Sequence, residues 1–305
     1  MWKKILTSKV TRYLFSIILL YFAFQKVNVL SLLKDLVEVP WWTLPAITAY
    51  FSITMFLGGW RWAILVLEKV TLKDVLIFTK SSFMGMFYGV FFPSPVAGDL
   101  IKWTTLIKFY PQVSKTKLVG TVLIDRIVGV TTLCIVSLLA LIVGRYVGYV
   151  FPNYLWLIFI LLNVGCLAFF VLSYLVDFEK FIGKYKKLEK IAQIAGLLRK
   201  TKMSDLLRVF LICFISEPIW MTTTWLIALV FGLNLGLLEV LIFVPIISFV
   251  LTLPISVAGF GARETLFIYF FSQLGLPVDK ILAVSTFNGI VGIMVSLVGG
   301  LLTFF

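Results

Sequence analysis

Runs of about twenty nearly uninterrupted apolar residues recur from one end of the chain to the other, and they decide what the chain can fold into. A helix rising about 1.5 Å per residue needs roughly that length to cross about 30 Å of hydrocarbon. Such windows lie at roughly 12–30, 43–67, 75–92, 117–143, 153–176, 208–231, 238–253 and 281–304. With 61% of its 305 residues hydrophobic and 13% charged, the chain carries more apolar surface than one soluble core encloses. The pattern predicts an all-α, polytopic integral membrane protein of about eight spans, forming one membrane domain over 1–305. Basic residues precede the first apolar run, but no small-residue cleavage site follows it, so a retained helix is expected rather than a removed signal peptide.

Composition narrows the chemistry. The chain has no His, which removes the commonest general base and metal ligand. Cys134, Cys166 and Cys213 lie in apolar runs without C-x-x-C spacing, so neither a disulfide framework nor a zinc site is predicted. No Walker-type phosphate loop occurs. No catalytic residue, metal or cofactor is expected.

The net charge of +13 follows topology rather than nucleic acid. Lys3, Lys4, Lys9 and Arg12 precede the first span; Lys69 and Lys73 follow the second; Lys115 and Lys117 precede the window at 117–143. The loop 177–208 adds nine more, among them Lys180, Lys184, Lys186, Lys187, Lys190, Arg199 and Lys200, whereas the opposite loops hold Lys34, Arg145 and Lys280. The positive-inside rule then places both termini and the basic loop in the cytoplasm of a cell-membrane protein. That loop alternates apolar and basic residues at helical spacing, which predicts an amphipathic helix on the inner leaflet.

Two apolar pieces, 96–109 and 260–275, are too short for full crossings, and each follows a break. The breaks are alike: PSPVAGDLIK, Pro93 to Lys102, aligns without a gap on PISVAGFGAR, Pro254 to Arg263. By the charge count one hairpin opens from the cytoplasmic face and the other from the external face. This predicts two inverted re-entrant hairpins within inverted repeats at roughly 43–143 and 208–304. Pro93, Pro95 and Pro254 turn the chain, Gly98, Gly259 and Gly261 allow close backbone approach, and each following helix start favours an anion. A pair of packing breaks without a ligand is the bland reading.

Eight charges fall within or at the mouth of the apolar zone: Arg61, Asp99, Lys102, Asp125, Arg126, Glu217, Arg263 and Glu264. One such charge costs about 2.5–3.5 kcal/mol at a helix centre, so these groups must face one another or water. Asp125 and Arg126 diverge by about 100° on a helix, so each needs a partner elsewhere. Arg61 either joins them or snorkels to the cytoplasmic surface. Lys80 and Asn288 are further polar candidates for a lining. A purely structural ion-pair network is the alternative to a headgroup site.

FFPSPVAGD, the LIDR of the next helix and LPISVAGFGARE together resemble, over nearly the whole chain, the flippase-like membrane domain of the lysylphosphatidylglycerol synthase family. The resemblance implies inverted repeats with re-entrant segments. It also implies movement of an anionic or aminoacylated lipid from the inner to the outer leaflet, and it assigns Gly98, Asp99, Asp125, Arg126, Gly259, Gly261, Arg263 and Glu264 to a central headgroup site. The chain departs from the family pattern at Ala258, where the family often has a second glycine, and at Lys102, where it often has Arg. No aminoacyl-transfer domain follows the last span, so synthesis of lysyl-lipid is not expected.

Three functions remain open: a translocator of an anionic phospholipid or lipid-linked phosphate, a secondary transporter of a small soluble anion coupled through Asp125 or Glu217, and a non-transporting scaffold for a cytoplasmic lipid-modifying enzyme. The expected partner is a membrane lipid; a further copy of the chain and such an enzyme are the candidate protein partners, and nucleic acid is not expected.

Overall fold

The computed structural model describes residues 36–91, 95–177, 189–251 and 259–304. The first expected span at 12–30, the turns at Pro93 and Pro254, and Lys180 to Lys187 of the basic loop lie outside the described residues. The regular secondary structure of the described residues is helical, without a strand. In chain order the helices are α1 Thr43–Val66, α2 Leu72–Phe91, α3 Pro95–Phe109, α4 Lys115–Tyr146, α5 Asn153–Leu175, α6 Glu189–Lys200, α7 Met203–Val230, α8 Leu237–Leu251, α9 Ala262–Phe271 and α10 Val278–Leu301. A single 3₁₀ turn, Ser272–Leu274, extends α9.

Five of these, α1, α4, α5, α7 and α10, are long and apolar enough to cross a membrane. Of the other expected spans, 12–30 lies outside the described residues, and the two at 75–92 and 238–253 form helices that are more polar or shorter. Lys73, Asp74 and Lys80 interrupt α2, and α8 has 15 residues, about 22 Å of helix. The two short pieces fold as short helices: α3 has 15 residues and α9 has 10. Pro218 lies inside α7 without ending it.

The described residues form two compact units: a first from Met1–Ile53, Phe83–Ile101 and Ile219–Phe305, and a second from Thr54–Ser82 and Lys102–Pro218. In the second, α1 and α2 meet α3 and α4 through Trp62, Phe78, Leu106, Tyr110 and Leu118. The Trp62 ring stands edge-on to Phe78 at 5.0 Å, the favourable arrangement for two quadrupoles. Helix α6 packs on α4 and α5. This differs from the expected surface helix: Ala195 and Leu198 are fully buried, and Leu198 joins Leu65, Ile124 and Val128 in one core cluster. Ala195 and Leu198, in the described part of the basic loop, thus face protein. In the first unit α9 packs on both α8 and α10, and Phe243 of α8 stacks on Phe270 at 5.3 Å.

Candidate functional site

Two sets of the expected site residues come together, one in each unit. In the second unit Arg61 of α1 lies between two carboxylates. Its Nε is 2.7 Å from Asp125 Oδ1 of α4, and one terminal nitrogen donates to Glu217 Oε1 of α7 at 2.7 Å. The three side chains retain only 15%, 17% and 13% of their exposure. Arg61 therefore does not snorkel; it is the partner that Asp125 needed.

The same guanidinium nitrogen reaches Ser216 Oγ at 3.2 Å and Cys213 Sγ at 3.1 Å. Cys213, Ser216 and Glu217 share one face of α7 at i, i+3 and i+4, a spacing readable in the sequence but unnoticed there. Gly129 of α4 borders the cluster, and a Cβ there would meet the Glu217 carboxylate at an ordinary contact distance of 3.5 Å. Arg126, one position beyond Asp125, is exposed. The sequence-stated divergence of those neighbours is thus seen directly: one faces Arg61, the other the outside of the helix. A small cavity of about 80 Å³ opens beside the pair and is lined by Arg61, Asp125, Lys102, Ser82 and Thr54. The Lys102 carbonyl accepts from Ser81 Oγ at 2.6 Å, which ties α3 to α2.

In the first unit the chain enters α9 through two left-handed glycines, Gly259 (φ 80°) and Gly261 (φ 79°), where a side chain would be strained. The Gly261 amide donates to Glu264 Oε2 at 2.7 Å. Glu264 is 3% exposed, so this buried carboxylate caps its own helix. The expectation that this helix start offers its amides to an anion is modified accordingly: the leading amide is already taken. The Arg263 amide donates to the Gly259 carbonyl at 2.8 Å, which fixes the turn from which the Arg263 side chain departs.

The Arg263 guanidinium lies over the Phe260 ring at 5.6 Å to the centroid and against Gly289 of α10. It lines a cavity of about 200 Å³ with Asn288, Thr224, Ser248, Trp220 and Phe267. Asn288 donates from Nδ2 to Thr224 Oγ1 at 2.7 Å, so the expected lining residue is also a link between α10 and α7. Gly98, in α3, is a packing contact: a Cβ there would stand 2.6 Å from the Gly85 carbonyl oxygen of α2. Its neighbour Asp99 is half-buried. Phe260, Gly289 and Thr224 were not singled out in the sequence because nothing marks them before the fold brings them to Arg263.

Among the described residues no cluster of three or more Cys, Asp or Glu is placed to hold a metal ion. Chemically, the two groups offer fixed charge: a guanidinium shared by two carboxylates in one unit, and in the other a guanidinium at the wall of a mostly apolar cavity.

Comparison with individually curated proteins gives no match. A family model described as the lysylphosphatidylglycerol synthase TM region matches residues 9–300. Nearly the whole chain, including α1 to α9 and both charged groups, falls within that match, so the chain belongs to the family of the transmembrane region of lysylphosphatidylglycerol synthase.

Proposed function

We propose that the protein is a lipid translocator. An anionic or aminoacylated phospholipid, or a lipid-linked phosphate, places its headgroup in the Arg263 cavity while its tails stay in the bilayer. The observation that carries this reading is the Arg263 guanidinium itself. It is held by Gly259, Phe260 and Gly289 at a cavity of about 200 Å³ whose other lining residues include Thr224, Ser248 and Asn288 and bring no further charge. A planar fork at the wall of a largely apolar cavity suits a phosphate oxygen pair, and a lowered local dielectric strengthens such a contact. Membership in the family supports a membrane role tied to lipid.

In this proposal the protein is a multi-pass cell-membrane protein with both termini cytoplasmic. The segments about Pro93 and Pro254 are re-entrant hairpins of two inverted repeats, and the site opens alternately to the two leaflets. Outward movement of a net negative headgroup gains about 2.3 kcal/mol per charge per 100 mV of inside-negative potential. Translocation is binding and release, not bond chemistry.

The test uses the purified chain in vesicles with a headgroup-labelled anionic phospholipid, scoring label accessible from outside. Wild type is expected to redistribute the lipid and Arg263→Ala to stop it while inserting normally. Unchanged redistribution by Arg263→Ala removes the site assignment.

A second reading has one observation in its favour. Two carboxylates share one guanidinium at Arg61, which suits a proton carrier in a secondary transporter of a soluble anion. It predicts pH-dependent uptake of the anion by the same vesicles without lipid redistribution.

A further inference from the structure

A cavity of about 400 Å³ opens in the second unit, where the end of α1, the start of α4 and the junction of α6 with α7 come together. Its inner wall is aliphatic, with Leu65, Ile124 and Leu197. Leu65 and Ile124 are core residues, so this wall is fixed by packing rather than by surface side chains. Its rim is basic, with Lys117, Lys200 and Lys202, and Ser114 and Thr201 also line it. Among the described residues none of these three lysines is held in an ion pair. Two carboxylates share the rim. Asp205 has its own partner in Arg208 at 3.7 Å, which leaves Glu68 against three ammonium groups.

We infer that this cavity binds the phosphate headgroup of an amphiphile whose tail lies along the aliphatic wall. Primary ammonium groups are compact, strongly hydrated point charges and suit a phosphomonoester dianion better than they suit planar bidentate pairing. An apolar wall beneath a cationic rim matches an amphiphile rather than a free ion, because a bare phosphate would leave the wall wet. The site shares no residue with the Arg263 cavity. It stands independently of the translocation reading, and an Arg263→Ala chain is expected to retain it.

The experiment titrates the full chain, in phosphatidylcholine nanodiscs, with short-chain phosphatidate, and in parallel with glycerol 3-phosphate and inorganic phosphate. Phosphatidate is expected to bind the wild type at least about tenfold more tightly than either tail-free phosphate. Each lysine contributes about fivefold, so Lys117→Gln/Lys200→Gln/Lys202→Gln is expected to lose about a hundredfold. Equal phosphatidate affinity in wild type and triple variant overturns the site. Equal affinity for phosphatidate and glycerol 3-phosphate overturns the amphiphile and leaves simple attraction of anions to a basic rim. Should the triple variant lose its helical circular dichroism, the three single variants decide, since none is expected to disturb the fold and each is expected to lose about fivefold.

Discussion

Arg61 and Glu217 are 156 positions apart in sequence, yet the guanidinium donates to the carboxylate at 2.7 Å, and Asp125 holds the other side of the same group. The three mostly buried side chains share one charge cluster with a single cation at its centre. Removing the centre leaves two buried like charges. Arg61→Ala is expected to destabilise the protein by about 3–5 kcal/mol, whereas Arg61→Met/Asp125→Leu/Glu217→Met, which removes all three charges, is expected to lose far less. Thermal melts of both variants in detergent check the order. An equal loss for both would show that packing, not charge, holds α1, α4 and α7 at this point.

At the start of α9 the Glu264 carboxylate takes the Gly261 amide. Glu264→Ala leaves a buried donor without an acceptor and is expected to lose about 1–3 kcal/mol, while Glu264→Gln keeps an acceptor and loses about half as much or less. Both are measured by melting temperature. A purely electrostatic role for Glu264 beside Arg263 predicts instead that Gln is as harmful as Ala.

How far these sites were legible in the sequence depends on which physical signal each residue carries. Helix ends were legible because Pro, Gly and charge mark them: the expected 153–176 is Asn153–Leu175, and 43–67 is Thr43–Val66. Helix α7 begins at Met203 rather than near 208 because Asp205 and Arg208, read as loop, lie in its first turns. The charged residues inside the apolar zone were legible because each is costly there. Their pairing was not. In a bilayer a helix is apolar on its lipid face as well as on its packed face, so periodicity carries no direction. In α5 only 17% of the apolar window is buried inside the protein, against 56% in α10, yet both sequences read as spans of high mean hydropathy, 2.7 and 2.1. Which of Asp125 and Arg126 turns inward could not be read from them, and the sequence could not show that Glu217 serves Arg61 rather than Arg263.

Outside the spanning helices, Asp74 at the start of α2 accepts from Tyr110 Oη at 2.6 Å and from the Thr71 hydroxyl at 2.6 Å. Hydrogen bonds from Thr71 and then from Tyr110 hold the Asp74 carboxyl below its ordinary value of 3.8. Burial, with the Asp74 hydrogen bond, pushes the Tyr110 hydroxyl above its ordinary value of 10.0. A depressed carboxyl stabilises the fold above its unfolded pKa and loses that contribution as pH falls through the folded one; a raised phenol stabilises below its unfolded pKa and loses it as pH rises. The network is therefore expected to contribute a small stabilisation from about pH 4 to about pH 10 and to weaken at both ends. Tyr110→Phe should remove the alkaline limb of the melting temperature against pH and shrink the acid limb only in part, since the Thr71 bonds to Asp74 remain. An unchanged profile would place the pH dependence elsewhere.

The last prediction concerns the space around Arg263. Gly289 of α10 faces that guanidinium so closely that a Cβ would collide with one of its terminal nitrogens, and Arg263 is in turn confined by Gly259, where a Cβ would stand 3.0 Å from the other. Gly289→Ala must therefore push the guanidinium off its position without changing any charge. In an unobstructed helix the same change would stabilise by about 1 kcal/mol through helix propensity. Gly165 of α5 is such a position, with nothing within 4 Å of a Cβ. Gly165→Ala is thus expected to hold or raise the melting temperature and to leave lipid redistribution in vesicles unchanged. Gly289→Ala is expected to slow redistribution by about tenfold or more, since a displacement of about 1 Å at a binding group can cost that much. If both variants redistribute lipid at the wild-type rate, the position of the Arg263 guanidinium is not what the headgroup reads.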